Sequence, residues 1–254
     1  KTGDHVSDSY FLYSEDFNGI NALPTGWVTD IGNSKSSAGV TADGKLRLIQ
    51  PTGNYMLTYY NTAMTSNDYS VEAEFTITAK QQDDKYFGLV YGLQDVDNFG
   101  TTYVRFNGTN CATEVRQNGA WASSTAFSAT DAGITFAVGG TYKLTVVRIG
   151  TSVKFYVDNI LVSEATIPEG YSGGKIGFIT SGINLDVDNL KVCEIGETIE
   201  SEGTPYSQSF DGTATLPADW KTVAVSGATT IGIADYSNLV LKNMGDNFMR
   251  VYLD

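Results

Sequence analysis

Two pairs of carboxylates in this chain have a spacing that could serve acid–base chemistry. Glu72 and Glu74, in VEAEF, and Asp186 and Asp188, in LDVDN, stand at i and i+2. In a strand that spacing puts both members on one face. Glycoside hydrolysis needs such a pair at a fixed separation, one group as acid and one as base or nucleophile. Glu72 and Glu74 alternate with apolar Val71, Ala73, Phe75 and Ile77, so they are read as solvated outward residues. Asp188-Asn189 falls where a strand meets a turn, a position where side chains cap backbone amides. The one histidine, His5, lies in a polar leader, KTGDHVSDSY. A Ser-His-Asp triad or a histidine metal site therefore has no material. No glycine-rich loop opens a helix, so phosphate cradling is also unsupported. The chain is expected not to be an enzyme.

A second chemistry open to these residues is binding of a hard cation. Ca²⁺ takes Asp, Asn and carbonyl oxygens. Candidate ligands are Asp95, Asp97 and Asn98 in QDVDNFG, and Asp16 with Asp188. Glu15 and Asp16 correspond to Gln208 and Ser209 in the repeat described below, so that second site would not be common to both copies.

A third is recognition by aromatic planes flanked by polar groups. If Val104 and Phe106 of TTYVRF enter a core, Tyr103 and Arg105 face outward. Glu114 and Arg116 share a face of the next strand. Trp121 follows the Asn118-Gly119 turn, and Tyr156 alternates with Phe155 and Val157. With Tyr91 these form the candidate ligand-binding set: Tyr91, Tyr103, Arg105, Glu114, Arg116, Trp121 and Tyr156.

The elements that must position these residues are strands. VEAEFTIT and YFGLVYGL alternate with period two, and TYVRF, YKLTVVRI, VKFYVDNILV, GKIGFIT and LDVDNLKV follow. Turn-forming segments separate them, with Asn118-Gly119 and Gly139-Gly140 as hairpin-type dipeptides. No stretch reads as an amphipathic helix of useful length. Many short strands at this spacing predict a two-sheet sandwich.

The chain also repeats itself. YSEDFNGINALPTGW, residues 13–27, matches YSQSFDGTATLPADW, residues 206–220, at Tyr, Ser, Phe, Gly, Leu, Pro and Trp. The 193-residue offset then carries Leu46 and Leu48 onto Leu239 and Leu241, and Tyr59 onto Tyr252. This predicts a leader at 1–9, one complete domain at 10–197, a polar linker at 198–205, and the first strands of an incomplete copy at 206–254. Trp27 and Trp220 recur beside Pro24 and Pro217 and are read as structural.

With 41% hydrophobic residues and 12% aromatics, the chain has material for a sizeable core. Its net charge of −13 disfavours nucleic acid and anionic lipid, and suits neutral sugars or cations. No apolar run is long enough to span a membrane as a helix. Cys111 and Cys193 have no zinc spacing; one bridge and two free thiols both remain open.

Taken in order, EDFNG, FGLVYGLQDVDNFGTTYVRF, EVRQNGAWAS, YKLTVVRIGTSVKFYVDNILV, GKIGFIT and LDVDNLKV resemble the strands of the concanavalin A-like (laminin-G-like) jelly-roll superfamily. The resemblance covers nearly all of residues 10–197. It implies an all-β, two-sheet antiparallel jelly-roll sandwich with one concave sheet, sugars lying across it or on its rim loops. Members include carbohydrate-binding modules, lectins, adhesion domains and glycoside hydrolases, so the fold alone selects no function. The hydrolases carry an E-x-D-x-x-E run, and this sequence has none.

The expectation is a non-catalytic, extracellular, secreted or cell-surface module that binds a polysaccharide or glycan, or serves adhesion, within a larger repeat protein. The alternatives are a structural subunit of an extracellular filament or surface assembly whose residues 206–254 pair with a neighbouring chain, and a glycoside hydrolase-like enzyme. Nucleic acid and membrane insertion are not expected.

Overall fold

The computed structural model describes residues 11–31, 33–171 and 173–195, together with four strands at 220–224, 229–234, 238–243 and 249–253. The expected leader (1–9), the linker (198–205) and the start of the second copy (206–219) lie outside the described residues. The chain divides into two compact units, Lys1–Thr198 and Ile199–Asp254.

The described strands of the first unit run in chain order: β1 Phe11–Glu15, β2 Trp27–Ile31, β3 Ser37–Val40, β4 Leu46–Ile49, β5 Tyr55–Tyr60, β6 Tyr69–Lys80, β7 Tyr86–Asp95, β8 Asn98–Arg105, β9 Cys111–Gln117, β10 Ala120–Phe127, β11 Thr141–Ile149, β12 Ser152–Val157, β13 Ile160–Thr166, β14 Lys175–Ser181 and β15 Ile183–Glu194. They form two antiparallel sheets. Sheet A has the order β13-β12-β11-β6-β15-β4-β3, with β1 also on β15. Sheet B has the order β10-β9-β8-β7-β14-β5-β2. The fold is a two-sheet antiparallel jelly-roll sandwich.

Period-two alternation builds it. In β6, Tyr69, Val71, Ala73, Phe75 and Ile77 are buried while the residues between them are only partly so. The inner faces meet through aromatic rings. Phe75 of sheet A stands edge-on to Phe178 of sheet B, with centroids 5.5 Å apart. Trp27 stacks on Phe178 at 5.5 Å and donates its indole N–H to the Tyr13 hydroxyl at 2.9 Å.

Asn118 and Gly119, with φ of 50° and 78°, make the tight turn between β9 and β10. The Gly139-Gly140 pair does something else. No strand directly precedes it to form a hairpin with β11. Instead it docks on β6, where Gly139 N–H donates to Ile77 O at 2.7 Å and Gly140 O accepts from Ile77 N–H at 3.0 Å. Cys111 lies in sheet B and Cys193 in sheet A, and both are free thiols.

In the second unit, β16 (Trp220–Ala224) pairs antiparallel with β19 (Met249–Leu253), and β17 (Thr229–Ala234) with β18 (Asn238–Asn243). The registers match those of β2–β5 and β3–β4 moved on by 193 residues. Trp27 opposite Tyr60 becomes Trp220 opposite Leu253, and Ala38 opposite Leu48 becomes Ile231 opposite Leu241.

Candidate functional site

Sheet B is buried on both faces through much of its width. In β5, Met56 joins the inter-sheet core while Leu57 faces away from it. The same split separates Leu89 from Val90 in β7 and Phe178 from Ile179 in β14. The outward set makes a second apolar cluster of Leu57, Val90, Leu93, Phe99, Tyr103, Ala112 and Ile179. Tyr55, Tyr59, Tyr86 and Val96 pack against it from the solvent side.

Two glycines let those tyrosines lie close to the sheet. Gly88 is opposite Tyr103, and Gly177 is opposite Tyr59. A Cβ on Gly88 would come within 2.5 Å of Tyr103 Cα, and one on Gly177 within 2.6 Å of Tyr59 Cα. Neither position has room for a side chain.

Cations cover the rings. The Arg105 guanidinium lies 5.6 Å from the Tyr86 centroid and 5.5 Å from that of Tyr103, whose rings are 4.4 Å apart. Its Nε donates to Asn110 O at 2.8 Å. Arg116 sits 5.9 Å from Tyr55 and 5.4 Å from Trp121, with Asp97 Oδ1 3.7 Å from one guanidinium nitrogen. Lys175 Nζ is 5.5 Å from the Tyr59 ring. Each contact is of cation–π type. Burial pushes the Tyr103 hydroxyl up to about 12, with Glu114 adding to the rise and Arg105 opposing it. Burial also raises Tyr55, and raises Tyr86 further.

Beside this surface is a cavity of about 390 Å³ lined by Asp30, Gly53, Asn54, Tyr55, Leu57, Val96 and Asp97. One wall comes from β2 and β5, the other from the β7–β8 turn. Trp121 stands next to it, 42% exposed, with its ring centroid 6.3 Å from that of Tyr55. The site thus offers an aromatic plane, an apolar floor, and carboxylate and amide groups at its mouth. Such a set can hold a polar ring compound with C–H faces.

The candidate set divides across the molecule. Tyr103, Arg105, Glu114, Arg116 and Trp121 come together on the outer side of sheet B. Tyr91 does not join them: it is fully buried between the sheets, its hydroxyl 3.3 Å from Thr102 Oγ1. The alternation of β7 turns Tyr91 inward with Phe87 and Leu89, so no ligand on the surface reaches it. Tyr156 belongs to β12 in sheet A, opposite Thr145 and Leu161, apart from the other candidates. Asp30, Asn54 and Tyr55 were not singled out from the sequence. The alternation of Tyr55, Leu57 and Tyr59 was a usable signal for Tyr55; the two polar groups come from separate segments and gave none.

The spaced carboxylates are engaged elsewhere. Glu72 pairs with Lys143 at 3.1 Å and accepts from Thr145 Oγ1 at 3.3 Å, and Glu74 accepts from Asn189 Nδ2 at 3.1 Å. Arg47 grips Asp186 through two hydrogen bonds of 2.7 Å. Asp188 Oδ1 accepts from Asn189 N–H at 2.7 Å. All four lie on strands of sheet A.

The cation candidates are tied into their own turns. Asp95 Oδ1 accepts from Asp97 N–H and from Asn98 Nδ2, each at 2.8 Å, which holds its carboxyl below the usual range. Asn98 Oδ1 accepts from Asn118 N–H at 3.0 Å. Asp16 Oδ1 accepts from Asn18 N–H at 3.0 Å. Among the described residues, no group of three or more His, Cys, Asp and Glu side chains is placed to hold a metal. No helix among them is long and apolar enough to cross a membrane.

No family description and no curated protein matches this sequence. Solved structures do share the fold. The carbohydrate-binding module CBM66 from Bacillus subtilis is similar at a TM-score of 0.53 and 19% identity, over 67% of this chain and 96% of that one. The catalytic domain of an endo-1,3-β-glucanase (laminarinase) from Thermotoga petrophila is similar at 0.50 and 12%, over 75% and 100%. A Bacillus licheniformis β-glucanase is similar at 0.50 and 15%, over 75% and 99%. Binding modules and hydrolases thus share this scaffold.

Proposed function

We propose that the sandwich is a non-catalytic carbohydrate-binding module working outside the cell, as part of a secreted or surface protein. The observation that carries this reading is the cleft between Asp30, Asn54 and Tyr55 on one side and Val96 and Asp97 on the other. It combines one aromatic plane with hydrogen-bonding groups, which is what a sugar's alternating C–H and O–H surfaces require. The fold shared with a carbohydrate-binding module supports it. The engagement of Glu72, Glu74, Asp186 and Asp188 in sheet A supports the non-catalytic half, since none of these pairs faces the cleft. The test is polysaccharide-affinity electrophoresis and a glycan array, alongside an assay for released reducing sugar. Retention on a polysaccharide without sugar release is expected. Catalytic release of reducing ends overturns the non-catalytic half, and failure to bind any glycan overturns the whole.

A second reading has its own observation. Among the described residues, β18 and β19 each pair with one strand, whereas their counterparts β4 and β5 each pair with two, β15 and β14 supplying the second. Unpaired edges recruit strands. In this reading residues 206–254 join a neighbouring chain and the protein is an assembling subunit. Sedimentation velocity across a concentration series tests it: species that grow with concentration and vanish on deletion of 199–254 are expected, and a monomer throughout removes it.

A further inference from the structure

Five strands of the sandwich have a single neighbour each among the described residues: β1, β2, β3, β10 and β13. An open edge presents unpaired N–H and C=O groups, and a charged residue or a short length guards it against another strand. Four of the five are guarded in one of these ways. β1 carries Glu15, β2 carries Asp30, β13 carries Glu164, and β3 has only four residues. β10 has neither guard. It is the longest of the five, and its eight residues, AWASSTAF, include no charge and no proline.

The edge is open as well as uncharged. Ala120, Trp121, Ala122, Ser124 and Ala126 are exposed, and the described backbone of β10 pairs with β9 alone. Ala122 has no partner in β9, and this bulge confines regular pairing to residues 123–127. In that run Ala126 lies opposite Ala112 of the outer cluster, while Ser123 and Phe127 lie opposite Val115 and Cys111 of the inter-sheet core. Ser124 and Ala126 therefore share the outer face, and Ser123, Thr125 and Phe127 the inner one.

We propose that β10 pairs antiparallel with β10 of a second copy of this chain, about a two-fold axis at Thr125. The run is complementary to itself in that register. Thr125 meets Thr125 of the other copy, a favourable cross-strand pair. Ser124 meets Ala126, and the bulky Phe127 meets the small Ser123. Charge also singles out this edge. At a net charge of −13 two copies repel each other, and close approach is least opposed where a strand carries none. The next strand inward adds Glu114 and Arg116, one of each sign. With about five residues pairing on each side, the dimer is a weak one. Antiparallel pairing sets the axis perpendicular to the sheet, so the two copies of sheet B run on as one, with both outer faces turned the same way. The pairing needs no sugar and stands apart from the carbohydrate reading. Where that reading holds, two clefts on one side grip a glycan-bearing surface together.

The test is sedimentation equilibrium of the full chain in a concentration series reaching the millimolar range, with two double variants checked for folding by circular dichroism. Ser124→Lys with Ala126→Lys sets lysine directly across from lysine. Ser124→Lys with Ala126→Glu sets lysine across from glutamate, and differs at one exposed position only. The parent chain should show a monomer–dimer equilibrium that stops at two. The first variant should raise its dissociation constant about tenfold, and the second should dimerise at least as well as the parent. A monomer at every concentration overturns the proposal and leaves the edge to solvent or to a foreign strand. So does a dimer that both variants weaken alike, or larger species indifferent to both.

Discussion

Tyr103 lies directly across from Gly88 in the β7–β8 pair, in a space that only a glycine leaves open. A Cβ at Gly88 would collide with Thr102 O and sit 2.5 Å from Tyr103 Cα. Both obstacles are backbone, so the strand itself would have to move. Gly88→Ala is expected to destabilise the sandwich by about 1–3 kcal/mol, the usual cost of overpacking. It should also shift the tilted Tyr86–Tyr103 ring pair, which near-ultraviolet circular dichroism reads directly. An unchanged melting temperature and spectrum would contradict the packing described here.

Tyr91 separates a structural role from a binding one. Its ring fills the core and its hydroxyl meets Thr102 Oγ1, which in turn lies 3.1 Å from Thr113 Oγ1. Tyr91→Phe keeps the ring and removes the hydrogen bond. Chemical denaturation should show a loss of about 1 kcal/mol, with glycan affinity as in the parent chain. A selective loss of affinity would place Tyr91 in the site after all.

Trp121 should behave in the opposite way. It is 42% exposed, but its ring also stands edge-on to buried Phe99 at 5.8 Å, so Trp121→Ala costs some packing as well. It also removes the ring beside Tyr55 and Arg116. Affinity for a bound glycan should fall about tenfold, worth about 1.4 kcal/mol, at temperatures where the variant is still folded by circular dichroism. Tyr156→Ala on sheet A serves as the control and should leave affinity untouched. The reverse pattern would move the site to the other sheet.

Arg47 and Asp186 form a bidentate pair in which the carboxylate side chain is 10% exposed. Arg47→Ala strands a nearly buried charge, and should cost about 2–3 kcal/mol. Asp186→Asn keeps a hydrogen-bonding partner and should cost less. Neither variant should alter glycan binding. Melting temperatures equal to that of the parent chain for both variants would show that the pair contributes nothing.

Alkaline pH tests the buried tyrosines together. Burial raises Tyr13 and Tyr103 to about 12 from an ordinary 10.0, and raises Tyr86 and Tyr91 further. A group with a raised folded value holds its proton more tightly in the native state. Its contribution is therefore complete below about 10 and is lost as pH rises through the folded value. Stability should fall steeply above pH 10, with tyrosinate absorbance appearing cooperatively as the fold opens. Gradual, non-cooperative titration from pH 10 would mean that the rings are accessible.

Much of this was open to a reader of the chain alone. Period-two alternation in VEAEFTIT sorted core from surface, because a strand sends successive side chains to opposite sides; in YFGLVYGL it held for Phe87, Leu89 and Tyr91 but not for Leu93, which a register shift after Tyr91 turns to the outer cluster. It even assigned Tyr91 to the inside, against its inclusion among ligand contacts. The 193-residue offset brought out a pairing register seen in both units, since identical spacing of apolar positions imposes identical pairing. Asn118-Gly119 announced its turn through residues that tolerate positive φ. Other features depended on long-range pairing, which local pattern does not encode. Alternation could say that Tyr156 faces outward, but not that β12 lies in the sheet away from Tyr103. It could not say that the outer face of sheet B carries an apolar cluster of its own, because a residue reads the same whether solvent or a neighbouring strand's side chain covers it. Asp30 and Asn54 are 24 positions apart in the chain and lie more than 40 from Asp97. Only the pairing of β2 with β5 and the reach of the β7–β8 turn bring them to one cleft.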